Sequence, residues 1–134
     1  MSSEPPNIEQ DEVESQLSIT IDLTPEFYRN LRDLKKRYRH VRADIQTVIQ
    51  DLEVGNFVGD RISGIGEDYV MLKVRIKNQD IQKGKSAGYR LIYQVESPTS
   101  VLLLTIYSKS DRSDITAGEL RSITAEFQDD DYRP

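Results

Sequence analysis

The 134 residues contain no cysteine and no tryptophan, and histidine occurs once. Each scarcity removes a class of chemistry. Without cysteine there is neither a disulfide framework nor a thiolate metal site, and an intracellular compartment is the natural expectation. With His40 as the only histidine, a catalytic metal held by a histidine cluster is excluded, and His40 beside Arg39 reads as a solvated surface residue. No cofactor and no metal are expected. No apolar run approaches the roughly 20 residues that span a bilayer, and residues 1–6 lack the basic and apolar regions of a signal peptide. A soluble, cytoplasmic protein with no membrane partner is therefore expected. At 37% hydrophobic content the chain supports one domain with a modest core.

Positive charge is scarce overall, since the net charge is -5, which superficially argues against a nucleic-acid partner. Charge has to be read by segment, however. Residues 1–16 carry five acids and no base, and residues 128–134 carry Asp129, Asp130 and Asp131 against Arg133. Between these ends, residues 69–110 hold Lys73, Arg75, Lys77, Lys83, Lys85, Arg90 and Lys109 against only Asp80 and Glu96. A basic stretch lies between two acidic ends. The ends have too little apolar surface to offset the entropy of ordering, so residues 1–16 read as a disordered tail, 17–127 as the folded domain and 128–134 as a second acidic tail.

Residues 17–23 alternate Leu17, Ile19, Ile21 and Leu23 against Ser18, Thr20 and Asp22, the pattern of a half-buried strand. Thr24 then serves as an N-cap, Pro25 takes the first helical position, and Glu26 stands in the first turn where the dipole favours an acid. Phe27, Leu31, Leu34, Tyr38, Val41, Ile45, Val48 and Leu52 recur at spacings of four and three. That period fits one long helix or two helices folded back near residues 39–41, and no Gly or Pro there forces a break. Two helices packed on a sheet are favoured over an intermolecular coiled coil, because the strands that follow need a cover for their apolar face. Glycines 55, 59, 64 and 66 end the helical region in a loop.

Three strands follow, at residues 70–77, 89–96 and 101–109. In the first, Val70, Leu72, Val74 and Ile76 form the apolar face and Met71, Lys73, Arg75 and Lys77 the other. In the second, Tyr89, Leu91, Tyr93 and Val95 oppose Arg90, Ile92, Gln94 and Glu96. In the third, Leu102, Leu104 and Ile106 read as core, with Val101, Leu103, Thr105, Tyr107 and Lys109 facing away. Paired antiparallel, the three present Lys73, Arg75, Lys77, Arg90, Tyr107 and Lys109 as one open basic surface. A helix at 116–127 closes the chain, with Thr116 and Glu119 as a capping box and Leu120, Ile123 and Phe127 on one face. The expected fold is α+β in the order β-α-α-β-β-β-α. It has a small antiparallel-rich sheet of about four strands, covered on one face by the two N-terminal helices, and a short C-terminal helix.

Gly84-Lys85-Ser86 imitates the end of a phosphate-binding P-loop, but Gln79 stands where the first glycine belongs and a strand follows instead of a helix. Gly64-Ile65-Gly66 lacks a third glycine and a helix start. Asp111 and Asp114, just before a helix, suit turn and capping roles. What remains is the one-sided array of Lys, Arg and Tyr. Arg75 and Arg90 are candidates for a phosphate, because guanidinium makes bidentate contacts and stays charged. Lys73 or Lys85, if crowded by other cations, is a candidate base. Tyr107 is a candidate for stacking or proton sharing, and Lys77, Lys83 and Lys109 for flanking phosphates.

Four segments carry a family resemblance: Gly59-Asp-Arg-Ile-Ser-Gly-Ile-Gly, Lys73-Val-Arg-Ile-Lys-Asn, Gly84-Lys-Ser-Ala-Gly-Tyr-Arg-Leu-Ile-Tyr and Leu103-Leu-Thr-Ile-Tyr-Ser-Lys-Ser-Asp. In content and spacing they resemble the RelE/ParE superfamily of bacterial toxins, closest to its RelE and HigB branch, over about residues 24–124. The resemblance implies a small sheet with two helices on one side, and a ribosome-dependent endoribonuclease that cuts messenger RNA. It also implies a cognate antitoxin that holds the enzyme inactive, with operator DNA a partner only of the toxin–antitoxin complex. A ParE-like inhibitor of DNA gyrase, or an inactive relative that only binds its antitoxin, are the alternatives. The acidic ends depart from the family, whose members are usually shorter and more basic, and Tyr132 in the acidic tail does not align with a C-terminal aromatic. Either tail is a candidate shield for the basic face.

Overall fold

The computed structural model describes residues 18–81 and 87–129. Lys83, Lys85, Tyr132 and the acidic stretch 1–16 lie outside them, as do 130–134. The elements are β1 (Thr20–Leu23), α1 (Pro25–Arg37), α2 (Val41–Glu53), β2 (Asp60–Arg61), β3 (Met71–Ile76), β4 (Tyr89–Ser97), β5 (Ser100–Ser108) and α3 (Ala117–Asp129). This is the expected α+β order with one addition. The glycine-rich segment contributes a two-residue strand, Asp60 pairing Lys73 and Arg61 pairing Leu72, so the sheet has five strands in the order β1-β5-β4-β3-β2. It is mixed: β1 runs parallel to β5, Thr20 opposite Ser100 and Leu23 opposite Leu103, and the rest is antiparallel.

Local chemistry sets the helices. Thr24 Oγ1 accepts from the Phe27 backbone N–H at 3.0 Å and donates to the Leu104 carbonyl at 2.7 Å. The cap thus starts α1 and also anchors it to β5, and losing such a cap costs about 1 kcal/mol. The helical period breaks without Gly or Pro at Tyr38, which turns extended (φ -129°, ψ 101°). Its ring packs edge-on against Tyr89, centroids 5.9 Å apart. His40 precedes α2 and is partnered rather than merely solvated. Its backbone N–H donates to Asp80 Oδ2 at 3.0 Å, and its Nδ1 lies 2.7 Å from Asp80 Oδ1. Asp44, one turn on, accepts from the Gln79 backbone and side chain at 3.1 and 2.7 Å. At the other end of the chain, the capping box closes as the sequence implies: Thr116 N–H donates to Glu119 Oε1 at 2.9 Å and Glu119 N–H to Thr116 Oγ1 at 3.1 Å.

The sheet is buried on both faces. Phe27, Leu34, Val41, Ile45, Val48 and Leu52 of α1 and α2 cover Val74, Ile76, Leu91, Tyr93, Val101, Leu103 and Ile106. On the opposite face, Leu120, Ile123 and Phe127 of α3, with Ile65 and Ile115, cover Met71, Ile92, Leu102, Leu104 and Tyr107. Strict alternation therefore fails in β5. Ile92 pairs with Thr105 but Tyr93 with Leu103, leaving Leu104 as the extra residue of a bulge. Before the bulge Leu102 faces α3, and after it Ile106 faces the helix pair. The expected apolar set of Leu102, Leu104 and Ile106 is thus divided between two cores. Leu23, expected in the core, is 43% exposed. Between β3 and β4 the backbones meet so closely that a Cβ on Gly88 would stand 1.9 Å from the Ile76 carbonyl oxygen, which only glycine permits.

Candidate active site

Pairing of β3, β4 and β5 places Arg75 opposite Arg90 and Arg90 opposite Tyr107. Directly opposed residues of antiparallel strands share a face, with Cβ atoms about 5 Å apart. The result is one cross-strand row of two guanidinium groups and a phenol. The row lies on the α3 face of the sheet, beyond the apolar patch that α3 covers. One row nearer α3 stand Lys73 and Ile92, while Thr105, paired with Ile92, turns its hydroxyl to Asn30 and Glu26 of α1.

Burial grades along the row. Arg75 is exposed, but Arg90 is only 6% and Tyr107 7% exposed, so the expected open lattice is instead a row that runs into the protein. An Arg90 Nη1 N–H donates to the Tyr89 carbonyl at 3.2 Å. The Tyr107 ring lies under the Arg112 guanidinium, 5.5 Å from carbon to centroid, which covers the surface on which a base was expected to stack. Its hydroxyl is buried with no hydrogen-bond partner among the described residues. Burial, with the nearby Asp114 carboxylate, pushes the Tyr107 hydroxyl above its usual range, so at neutral pH it stays protonated and can donate a hydrogen bond.

The segment after β5 folds over this row. Lys109 Nζ donates to the Ser113 carbonyl at 2.9 Å. Lys73 Nζ lies 3.2 Å from Asp114 Oδ1, so the expected crowding of Lys73 by cations gives way to an ion pair. Asp114 also accepts from the Ile115 N–H at 2.8 Å. That bond, then Lys73, hold its carboxyl below the usual carboxylate range. Arg112 reaches from Tyr107 to Glu119, 3.0 Å away, tying the segment to the start of α3. Arg37 of α1 grips Asp111 with both nitrogens at 2.7 and 3.0 Å, a bidentate pair. Between α1, β5 and this segment is a cleft of about 270 Å³ lined by Asn30, Asp33, Arg37, Tyr107, Asp111 and Arg112.

Of the residues singled out in the sequence, the fold brings Lys73, Arg75, Arg90, Tyr107 and Lys109 to one end of one face. Lys77 departs from them: it is exposed past the end of β3 and, with Arg75, lines a groove of about 380 Å³ against Asp44 and Asp51 of α2. Lys83 and Lys85 lie outside the described residues. Sequence reasoning passed over Arg112 and Arg37. Arg112 stands between Asp111 and Asp114, in the run directly after β5, and that adjacency to Tyr107 and Lys109 was the available signal. Arg37 is brought to Asp111 only by tertiary packing. No three His, Asp or Glu side chains among the described residues are grouped to hold a metal, and no described helix is long and apolar enough to cross a membrane. Neither a scan against models of known families nor a search of curated proteins gave a match to this chain.

Proposed function

We propose that the protein is an endoribonuclease of the RelE/HigB kind: a toxin that cuts messenger RNA on the ribosome and is restrained by a cognate antitoxin. The observation that carries this reading is the Arg75–Arg90–Tyr107 row. Arg75 and Arg90 stand directly opposite each other on neighbouring strands, within the span that one phosphate can bridge, and each guanidinium can give it charge-assisted hydrogen bonds. The buried Tyr107 hydroxyl beside them has no acceptor among the described residues, and a phosphate oxygen would supply one.

The chemistry suits such a site. The RNA 2'-hydroxyl oxygen forms a bond to the adjacent phosphorus while the bond from phosphorus to the 5'-oxygen breaks. One proton leaves the nucleophile and one reaches the leaving oxygen. Arg75 and Arg90 stabilise the charge that accumulates on the phosphoryl oxygens, commonly the largest catalytic contribution. Tyr107, protonated at neutral pH, donates to that group or to the leaving oxygen. Lys73 is seated on Asp114, which leaves Lys85 as the candidate proton acceptor, with Lys109 and Arg112 the contacts to flanking phosphates.

The test is induction of the intact protein and of Arg90→Ala in growing bacteria, with message ends mapped in the same cultures. Growth arrest with new 5' ends that vanish in Arg90→Ala supports the reading. Arrest without new ends would instead support action on a protein target such as gyrase, and no arrest by the intact protein would favour an inactive relative.

A further inference from the structure

The outer flank of α1 carries a second concentration of positive charge that the row on the sheet does not use. Phe27 and Leu34 bury one side of the helix, with Leu31 and Tyr38 partly buried beside them. Tyr28, Arg29, Arg32, Lys35 and Lys36 are all exposed, as is Arg39 in the turn that follows. At 100° per residue the five helical positions fall within an arc of roughly 120°. That arc contains no acid. The acids of α1 project to the opposite flank, where Glu26 accepts from Thr105 at 3.1 Å and Asp33 lines the cleft with Arg37. None of the ion pairs among the described residues involves Arg29, Arg32, Lys35, Lys36 or Arg39.

Acids border the stripe, Glu26 and Asp33 standing three and four positions from Arg29, but Arg32 and Lys35 at its centre have none within three or four positions on the helix. Arg32 and Lys36 are like charges four apart on the helix, a spacing that destabilises, and Arg39 follows beyond the extended Tyr38. The helix dipole accounts for Lys35 and Lys36 in the last turn but not for Arg29 near the start. We infer that this flank binds the phosphate backbone of folded RNA, at a surface distinct from the row that holds the cut strand. Three features favour RNA over an acidic polypeptide. The stripe is charge-dense, whereas the centre of a protein–protein interface is depleted of charge. Three of its five cations are guanidinium groups, suited to phosphate. Its single large apolar group is Tyr28, 55% exposed, with the Arg32 guanidinium 6.0 Å from its ring centroid, a platform of the kind on which a nucleobase stacks. The inference rests on the RNA reading above and adds to it. The strand to be cut is presented by a structured RNA that α1 grips, so affinity and bond cleavage belong to different faces.

Binding of a fluorescein-labelled RNA duplex, followed by anisotropy at about 50 to 200 mM salt, separates the two surfaces. The proteins compared are the full chain, Arg32→Gln/Lys36→Gln/Arg39→Gln, and Arg90→Ala. All three substituted α1 positions are exposed, and glutamine keeps helix propensity. The triple variant is expected to bind at least tenfold more weakly and to lose about 2 to 3 from the slope of log affinity against log salt, at roughly 0.9 per phosphate contact. Arg90→Ala, which removes one proposed phosphate contact, is expected to lose no more than about 1 from that slope. On messenger RNA bound to ribosomes, the triple variant raises KM with kcat unchanged. If the nuclease reading alone is wrong, cleavage is absent from every protein but the binding pattern persists. Failure of the intact protein to bind the duplex, or equal affinity and slope in the triple variant, overturns the inference. So does a synthetic peptide of residues 1–16 that binds the intact protein but not the triple variant while the duplex binds neither, which would assign the stripe to an acidic polypeptide.

Discussion

The two faces of the sheet are both buried, yet they are built differently. Under α1 and α2 the strands contribute Val74, Ile76, Leu91, Tyr93, Val101, Leu103 and Ile106, an almost wholly apolar layer. Under α3 the layer begins in the same way with Met71, Ile92, Leu102 and Leu104. It ends in Arg90, Tyr107 and Gln94, all less than a tenth exposed. One face answers the demand for a core, and the other divides its area between a core and a row of polar groups. Burying a cation is costly, so the polar half is where function is to be sought, and substitutions should separate the two faces cleanly.

The largest expected effect on the apolar face is on stability. Leu91 is fully buried beneath the helix pair, and Leu91→Ala should cost about 2–5 kcal/mol, read as a lowered urea midpoint with an unchanged slope. A cost below about 1 kcal/mol would mean that this face is not the principal core. On the polar face Arg90→Ala should reduce RNA cleavage by about 100-fold or more. Arg90→Met, which fills the space without charge, should be as inactive while still unfolding in one cooperative transition. Marked destabilisation of Arg90→Met would show that Arg90 serves the fold.

A matched pair sharpens the contrast. Tyr89 on the helix-pair face and Tyr107 on the other each bury a hydroxyl without a hydrogen-bond partner among the described residues. Phenylalanine at either position should change stability by less than about 1 kcal/mol. Only Tyr107→Phe should lower cleavage, by about tenfold or more, and an equal loss in Tyr89→Phe would refute the assignment of the polar face.

The smallest effect is on pH dependence. Burial, then the Asp44 carboxylate, raises the Tyr89 hydroxyl above its ordinary 10.0. A raised folded value means that the neutral group's stabilising contribution is intact below that ordinary value and is lost as pH rises past it. Tyr89→Phe should therefore blunt alkaline unfolding and leave acid unfolding alone. Asp114 shifts the other way: its depressed carboxyl contributes above the ordinary 3.8 and loses that contribution as pH falls through the lower folded value. Asp114→Asn should make the acid limb slightly shallower, an effect kept small by solvent around a side chain that is 64% exposed.

Amino-acid order alone determined most of the elements and the starts of two helices, though not the two-residue strand at Asp60–Arg61 or the break at Tyr38. Thr24-Pro25 starts one helix and Thr116 with Glu119 starts another, because those caps act within a single turn. Alternation along residues 71–76 and 89–95 assigned the faces of two strands correctly, because an extended backbone has a period of two whatever surrounds it. Arg75, Arg90 and Tyr107 were legible as one row, since they fall on the polar phase of strands that pair in sequence. The rest required distant partners. The bulge at Leu104 shifts the phase of β5 without altering its composition, so alternation read Leu102, Leu104 and Ile106 as one face where the structure makes two. Packing of α3 on the second face turned an expected open surface into a half-buried site and placed Arg90 and Tyr107 inside it. The parallel pairing of β1 with β5, the ion pair of Arg37 with Asp111 and the seat of Lys73 on Asp114 join residues 41 to 80 positions apart. Local propensity carries no information about such contacts, and only the fold, by burying the intervening chain, could bring them together.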